Sequence, residues 1–100
     1  MAKVGDLTVA LDMDPGMERL LRATARTLLA HGLDETADML FGRLTTRRFL
    51  DVEPKNGRMQ VRLEPFAELL LLDALATARS TSAREVKQRR IEQTIALCGL

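Results

Sequence analysis

Few residues in this chain are suited to catalysis. His31 is its single histidine and Cys98 its single cysteine. Nucleophilic catalysis needs a nucleophile, a base and a group that orients the base, and no local spacing joins these two side chains. His31 lies where a helix is predicted to end, a position at which the helix dipole favours a structural histidine. We therefore expect a protein that is not an enzyme, with no catalytic residues and no cofactor.

A calcium-loop pattern begins at Asp12 but is not completed. Asp12 and Asp14 alternate as the first acids of such a loop do, but the third acidic position is missing. Ala23 takes the place of the bidentate glutamate. Asp14 also precedes Pro15, an arrangement typical of a helix cap. Since the ligand count is too low, no metal site is predicted.

Composition indicates a single globular domain over residues 1–100. The apolar fraction is 46% and the charged fraction 29%, both ordinary values for a globular chain. Eighteen leucines against three aromatic residues mean that leucine supplies most of the core. The net charge of +1 gives no overall attraction to nucleic acid or to a membrane. Twelve arginines against three lysines favour a GC-rich genome, of an actinobacterial or phage source.

The sequence predicts a cytoplasmic protein that does not enter a membrane. Its first residues lack the basic and long apolar regions of a signal peptide. The longest aliphatic run, Leu69 to Leu72, is far too short to span a bilayer. One cysteine cannot form an intrachain disulfide, which fits a reducing compartment.

The strongest structural signal is a β-hairpin between residues 49 and 64. Asn56-Gly57 lies between two alternating runs, and a type I′ turn favours this dipeptide because both central residues need positive φ. With the turn placed there, the cross-strand pairs are Val52 with Val61, Leu50 with Leu63, and Asp51 with Arg62. The apolar pairs share one face of the hairpin and the ion pair lies on the other.

The remaining patterns predict an α+β fold in the order β-α-α-β-β-α-α. A half-buried strand is predicted over Leu7–Asp12, followed by a helix from Pro15 that ends at Gly32. A second helix is predicted over Asp34–Arg48, with Asp34 as its cap. The first strand is expected to join the hairpin in a small three-stranded antiparallel sheet, with the helices packed on one face.

The third predicted helix, Pro65–Arg79, is apolar on nearly every side. Leu69, Leu70, Leu71 and Leu72 point in directions that span about 300°, and a helix apolar all round is buried on more than one side. A chain of 100 residues has few layers with which to cover such a helix. It is therefore either a central core helix or a subunit interface, and the second interpretation predicts a homodimer.

The predicted partner interface combines the third helix with a fourth one. The capping-box pattern Ser82-Ala83-Arg84-Glu85 starts the fourth helix, whose apolar residues point in divided directions. Residues 82–100 are therefore predicted as an appended C-terminal helix that docks on a partner. Asp73 needs a cationic partner, from this chain or another, and the fourth helix carries a basic cluster. That cluster is Lys87, Arg89 and Arg90. The predicted interface residues are Leu69, Leu72, Asp73, Leu75, Ile91 and Ile95.

Two helices followed by a hairpin also have the order of the second half of a winged helix-turn-helix. This element order is similar to that of such domains over about Pro15 to Glu64, an analogy of fold that says little about function. It gives the alternative hypothesis of a winged-helix-like DNA-binding transcriptional regulator. The helix Asp34–Arg48 would enter the major groove, and the hairpin tip would contact phosphates. The nucleic-acid residues of this alternative are Arg43, Arg47, Arg48, Lys55 and Arg58.

Acidic residues weigh against that alternative. Recognition helices present their N-terminal residues to bases, and here those residues are Asp34, Glu35 and Asp38. Acids that face phosphates are repelled, and a net charge of +1 compensates little. The sequence therefore predicts a small non-enzymatic interaction or regulatory protein, homodimeric, with winged-helix DNA binding as the alternative.

Overall fold

The computed structural model describes residues 11–55 and 58–100, most of which are helical. The helices are α1 (Pro15–Ala30), α2 (Asp34–Thr46), α3 (Pro65–Ala78) and α4 (Arg84–Leu97). The strands are β1 (Leu11–Asp12), β2 (Leu50–Lys55) and β3 (Arg58–Leu63). Along the chain these elements follow in the order β1, α1, α2, β2, β3, α3 and α4.

The predicted three-stranded antiparallel sheet is wrong. Among the described strands only β2 and β3 pair in antiparallel fashion, and the two-residue β1 lies parallel to β3 on its other side. Parallel pairing needs a long crossover, which α1, α2 and β2 provide between β1 and β3. The alternation of residues 7–12 predicts a strand but carries no information about its direction. The part of that predicted strand before Leu11 lies outside the described residues.

The hairpin has the predicted register. The pairs are Leu50 with Leu63, Asp51 with Arg62, and Val52 with Val61. Leu50 and Val61 are buried, while on the other face Arg62 Nη2 donates a hydrogen bond to Asp51 Oδ2 at 2.9 Å. An exposed ion pair adds at most about 1 kcal/mol, so the apolar pairs fix the register. The predicted turn at Asn56-Gly57 lies outside the described residues.

Local signals set both ends of α1. The Asp14 carboxylate accepts hydrogen bonds from backbone N–H groups of the first turn at 3.0 and 3.2 Å. At the other end Gly32 has a φ of +72°, a left-handed conformation that glycine adopts without strain. Leu33 N then donates to Leu28 O at 2.9 Å, which satisfies a carbonyl group at the end of the helix.

The predicted caps of α2 and α4 are wrong. Leu33 is the N-cap of α2 and Ala83 that of α4, and neither supplies a side-chain hydrogen bond. Leu33 is 2% exposed and belongs to the core, so the N-cap residue of α2 is held by packing and not by a side-chain hydrogen bond. Asp34 therefore lies inside the first turn, where its charge still interacts favourably with the helix dipole.

The core lies between the helices and the apolar face of the hairpin. α3 packs on α1 and α4, while α2 packs on α1, α4 and β2. Phe41 of α2 and Leu71 of α3 are among the largest buried side chains. Ile91 and Ile95 of α4 are 1% and 2% exposed. The C-terminal helix of residues 82–100, predicted to dock on a partner, therefore packs on α2 and α3 of its own chain.

Two glycines form a matched pair for testing the helix geometry. Gly42 lies inside α2, and no described residue comes within 4 Å of the place its Cβ would take. Gly32 has positive φ, and its Cβ would lie 3.4 Å from the Arg84 side chain. We expect Gly42→Ala to raise the free energy of unfolding by about 0.5–1 kcal/mol. Gly32→Ala is expected to lower it by about 1 kcal/mol or more.

Urea denaturation followed by circular dichroism measures both changes in that free energy. Opposite signs are expected for the two variants. Changes of the same sign would show that one of these glycines does not have the backbone conformation described.

Candidate functional site

One side of α3 exposes large apolar side chains to solvent. Leu69 is 66% exposed, Leu72 46% and Phe66 39%, and Ala76 is exposed on the same side. We call these four residues the α3 face. The face extends toward the hairpin, because the ring of Phe66 lies 5.1 Å from the ring of Phe49. Clustered exposed apolar area of this kind is typical of a contact surface.

The predicted interface residues divide between this face and the core. Two of the leucines lie on the α3 face, and Asp73 lies half-buried beside it. Leu75 is 9% exposed, on the inner side of α3. Ile91 and Ile95 belong to the core cluster of the same chain, so their side chains are covered by this chain and not by a partner. Helical periodicity shows which residues share a side but not what covers that side.

Sequence reasoning did not include Phe66 and Ala76 in the interface, although a signal was present. Phe66 precedes Leu69 by three residues, and Ala76 follows Leu72 by four. Residues at these spacings are neighbours on a helix surface. Once Leu69 is known to be exposed, the helical spacing therefore places Phe66, Leu72 and Ala76 on the same exposed side of α3.

The charges of α3 are separated along its length. Glu68 lies in the first turn, Asp73 lies near the middle, and Arg79 is the C-cap residue. Within the described residues neither Asp73 nor Arg79 forms an ion pair or a side-chain hydrogen bond. The basic cluster of α4 therefore does not supply the cation that Asp73 was predicted to need from its own chain.

A buried lysine joins the start of α4 to the end of α1. Lys87 is 5% exposed, and its Nζ lies 3.4 Å from Nδ1 of His31, the C-cap residue of α1. Nδ1 accepts this hydrogen bond in the tautomer that leaves it unprotonated, and the end of a helix favours a positive charge. Cys98 lies about 16 Å from Lys87 along the axis of α4. His31 therefore has a structural contact at the opposite end of α4 from the cysteine.

Two arginines of the DNA-binding alternative form hydrogen bonds with backbone oxygens that follow α4. Arg43 Nη1 donates a hydrogen bond to the backbone oxygen of Leu100. Arg47 Nη2 donates one to the backbone oxygen of Gly99 at 2.9 Å. These bonds satisfy carbonyl groups just beyond α4, where a helix dipole also favours positive charge. Arg48, next along the chain, is exposed with a φ of +61°.

The other residues of the DNA-binding alternative are described only in part. Arg58 is exposed and has an interaction partner in the protein, while the side chain of Lys55 lies outside the described part. The first turns of α2 expose three acids. These acids are Asp34, Glu35 and Asp38. The outer side of α2 is therefore acidic at its start, and two arginines near its end are hydrogen-bonded to backbone oxygens.

Residues 11–55 and 58–100 contain neither a cluster of metal ligands nor a membrane-spanning helix. This part of the chain has no group of three or more histidine, cysteine, aspartate or glutamate side chains that could hold a metal ion. None of its helices combines the length and the apolar character needed to pass through a bilayer. Comparison of the chain with protein-family models, curated proteins and solved structures gives no match.

Proposed function

We propose that this chain is a small non-enzymatic interaction protein that works as a homodimer through the α3 face. The observation that carries the proposal is the 66% exposure of Leu69 and the 46% exposure of Leu72 in a helix whose other sides are buried. Burying one leucine side chain contributes about 1.5–3 kcal/mol to the free energy of association. In a two-fold contact each of these leucines is buried once in each of the two copies. The single free cysteine, Cys98, supports a reducing, cytoplasmic setting.

The charges along α3 favour a second copy as the partner. In an antiparallel two-fold contact, the acidic part of one α3 lies against the basic end of the other. If the helices cross near Ala76, then Asp73 of one copy and Arg79 of the other lie at the same height along the axis. The small side chain of Ala76 leaves room for the long arginine to reach across. The contact would give both charged groups a partner that they lack among the described residues of one chain.

Winged-helix DNA binding is not carried forward as a proposal. A duplex placed along α2 would meet three exposed acids at the start of the helix, where phosphates are repelled. The net charge of +1 compensates little for this repulsion. The acids therefore favour a regulator that acts through protein contacts.

Exchanging the charges of α3 tests the antiparallel arrangement. Asp73→Arg and Arg79→Asp each set like charges against each other twice in the dimer. We expect each to raise the dimer dissociation constant about tenfold, which corresponds to about 1.4 kcal/mol. The double variant restores opposite charges, so its dissociation constant is expected to return to within about threefold of the wild-type value. Sedimentation equilibrium measures all of these constants.

Arg89→Asp is the matched control for this experiment. Arg89 is an exposed arginine on α4 and is not part of the α3 face, so the dissociation constant should hardly change. A double variant that dimerises more weakly than either single variant would contradict the antiparallel contact.

A further inference from the structure

A shallow cleft lies on the outer side of α2, away from the α3 face. Its volume is about 400 Å³, and it is lined by one side of α2 between residues 38 and 47 and by Leu100. None of the contacts proposed for the dimer involves these residues. The cleft therefore supports an inference that goes beyond the proposed dimer and does not depend on it.

Gly42 is one of the residues that line this cleft. Glycine inside a helix is less stable than alanine by about 0.5–1 kcal/mol. No described residue lies within 4 Å of the place where the Cβ of Gly42 would be, so packing within the chain does not require glycine here. A helical glycine without such a reason allows another group to approach the helix backbone closely.

The two ends of the cleft carry opposite charges. Asp38 lies at one end, about 7 Å from Arg43 and about 14 Å from Arg47 along the helix axis. Each guanidinium has five N–H donors, and the described contacts of these arginines use one donor on each, for the backbone oxygens of Leu100 and Gly99. The remaining donors suit a carboxylate, and Asp38 can accept a hydrogen bond from an N–H group.

Leu100 gives the cleft an aliphatic wall beside the arginines. Its side chain is partly buried against the core and lines the cleft together with Met39, while its backbone oxygen accepts a hydrogen bond from Arg43. An aliphatic side chain placed in the cleft would therefore contact apolar groups, with arginine N–H donors close by.

We propose that this cleft binds the C-terminal residue of a partner peptide that ends in an aliphatic side chain and a free carboxylate. The side chain lies over Gly42 and contacts Leu100, and the carboxylate binds the free N–H groups of Arg43 and Arg47. The peptide N–H points toward Asp38, which fixes the direction of the bound peptide.

The test is a titration of the full ¹⁵N-labelled chain with acetyl-Ala-Leu, followed by amide chemical shifts. Shift changes are expected at Gly42 and Thr46. The uncharged amide of the same peptide is expected to bind at least about tenfold more weakly, because it loses the charge-assisted hydrogen bonds. Acetyl-Ala-Gly keeps the carboxylate but lacks the aliphatic side chain, and it is also expected to bind more weakly.

Two variants locate the binding. Gly42→Leu fills the cleft and is expected to abolish the shift changes, and it should fold because the site is open and leucine favours a helix. Arg47→Gln is expected to weaken binding, whereas the exposed Arg89→Gln on α4 is the control that should leave it unchanged.

Three results would overturn the proposal. One is the absence of shift changes with peptide at concentrations on the order of 20 mM, where even weak binding is visible. Another is equal binding by Gly42→Leu or by the amide peptide. The third is a shift of Gly42 that follows protein concentration without any peptide, which would assign the cleft to a second copy.

Discussion

Leu71→Ala is expected to lower the free energy of unfolding by about 2–5 kcal/mol, whereas Leu69→Ala changes it by less than about 0.5 kcal/mol in the monomer. The two leucines belong to the same run in α3, but Leu71 is fully buried and Leu69 is 66% exposed. Removing a buried side chain leaves a cavity, and removing an exposed one does not. Urea denaturation at a protein concentration low enough to keep the chain monomeric measures both changes.

The pair of variants is its own control, because the residue type, the helix and the substitution are the same. A third variant, Leu72→Ala, is expected to resemble Leu69→Ala, since Leu72 is 46% exposed. Similar losses of stability for Leu69→Ala and Leu71→Ala would mean that α3 is rotated from the orientation described, and the α3 face would then have no basis.

Leu72→Glu is expected to raise the dimer dissociation constant by at least about 100-fold while the monomer stays folded. The substitution places a carboxylate in an apolar contact, and each dimer contains two such carboxylates. A rise of about 100-fold in the dissociation constant corresponds to a loss of about 2.7 kcal/mol of binding free energy. Burying an unpaired charge costs more than this. The monomer tolerates glutamate because Leu72 is 46% exposed. Light scattering after size exclusion gives the dissociation constant, and circular dichroism reports the fold.

Leu97→Glu is the matched control for this experiment. Leu97 is 81% exposed near the end of α4 and outside the α3 face, so this variant is expected to dimerise like the wild type. Equal weakening by both glutamates would indicate a general effect of negative charge. A Leu72→Glu variant that dimerises normally would place the subunit contact elsewhere.

Features set by short-range interactions could be predicted from the sequence. The pairing of Val52 with Val61 follows from the alternation of the two strands and the position of the turn between them. The start and end of α1 follow from Asp14 and Gly32 in the same way, since each acts on the nearest turn of the helix.

Features set by packing between distant segments could not be predicted. Alternation in residues 7–12 does not say that β1 lies parallel to β3. Four consecutive leucines do not reveal that Leu71 is covered and Leu69 is not, because the covering elements come from other parts of the chain. The hydrogen bond from Arg47 to Gly99 joins residues 52 positions apart, and no local pattern contains it.

The most direct test of the homodimer is the molar mass of the wild-type chain in solution, measured by light scattering over a series of concentrations. The α3 face predicts a mass that approaches twice the 11.2 kDa of one chain at high concentration and falls toward the single-chain value on dilution. A mass of 11.2 kDa at every concentration up to about 1 mM, where even a contact worth about 4 kcal/mol is half occupied, would contradict it.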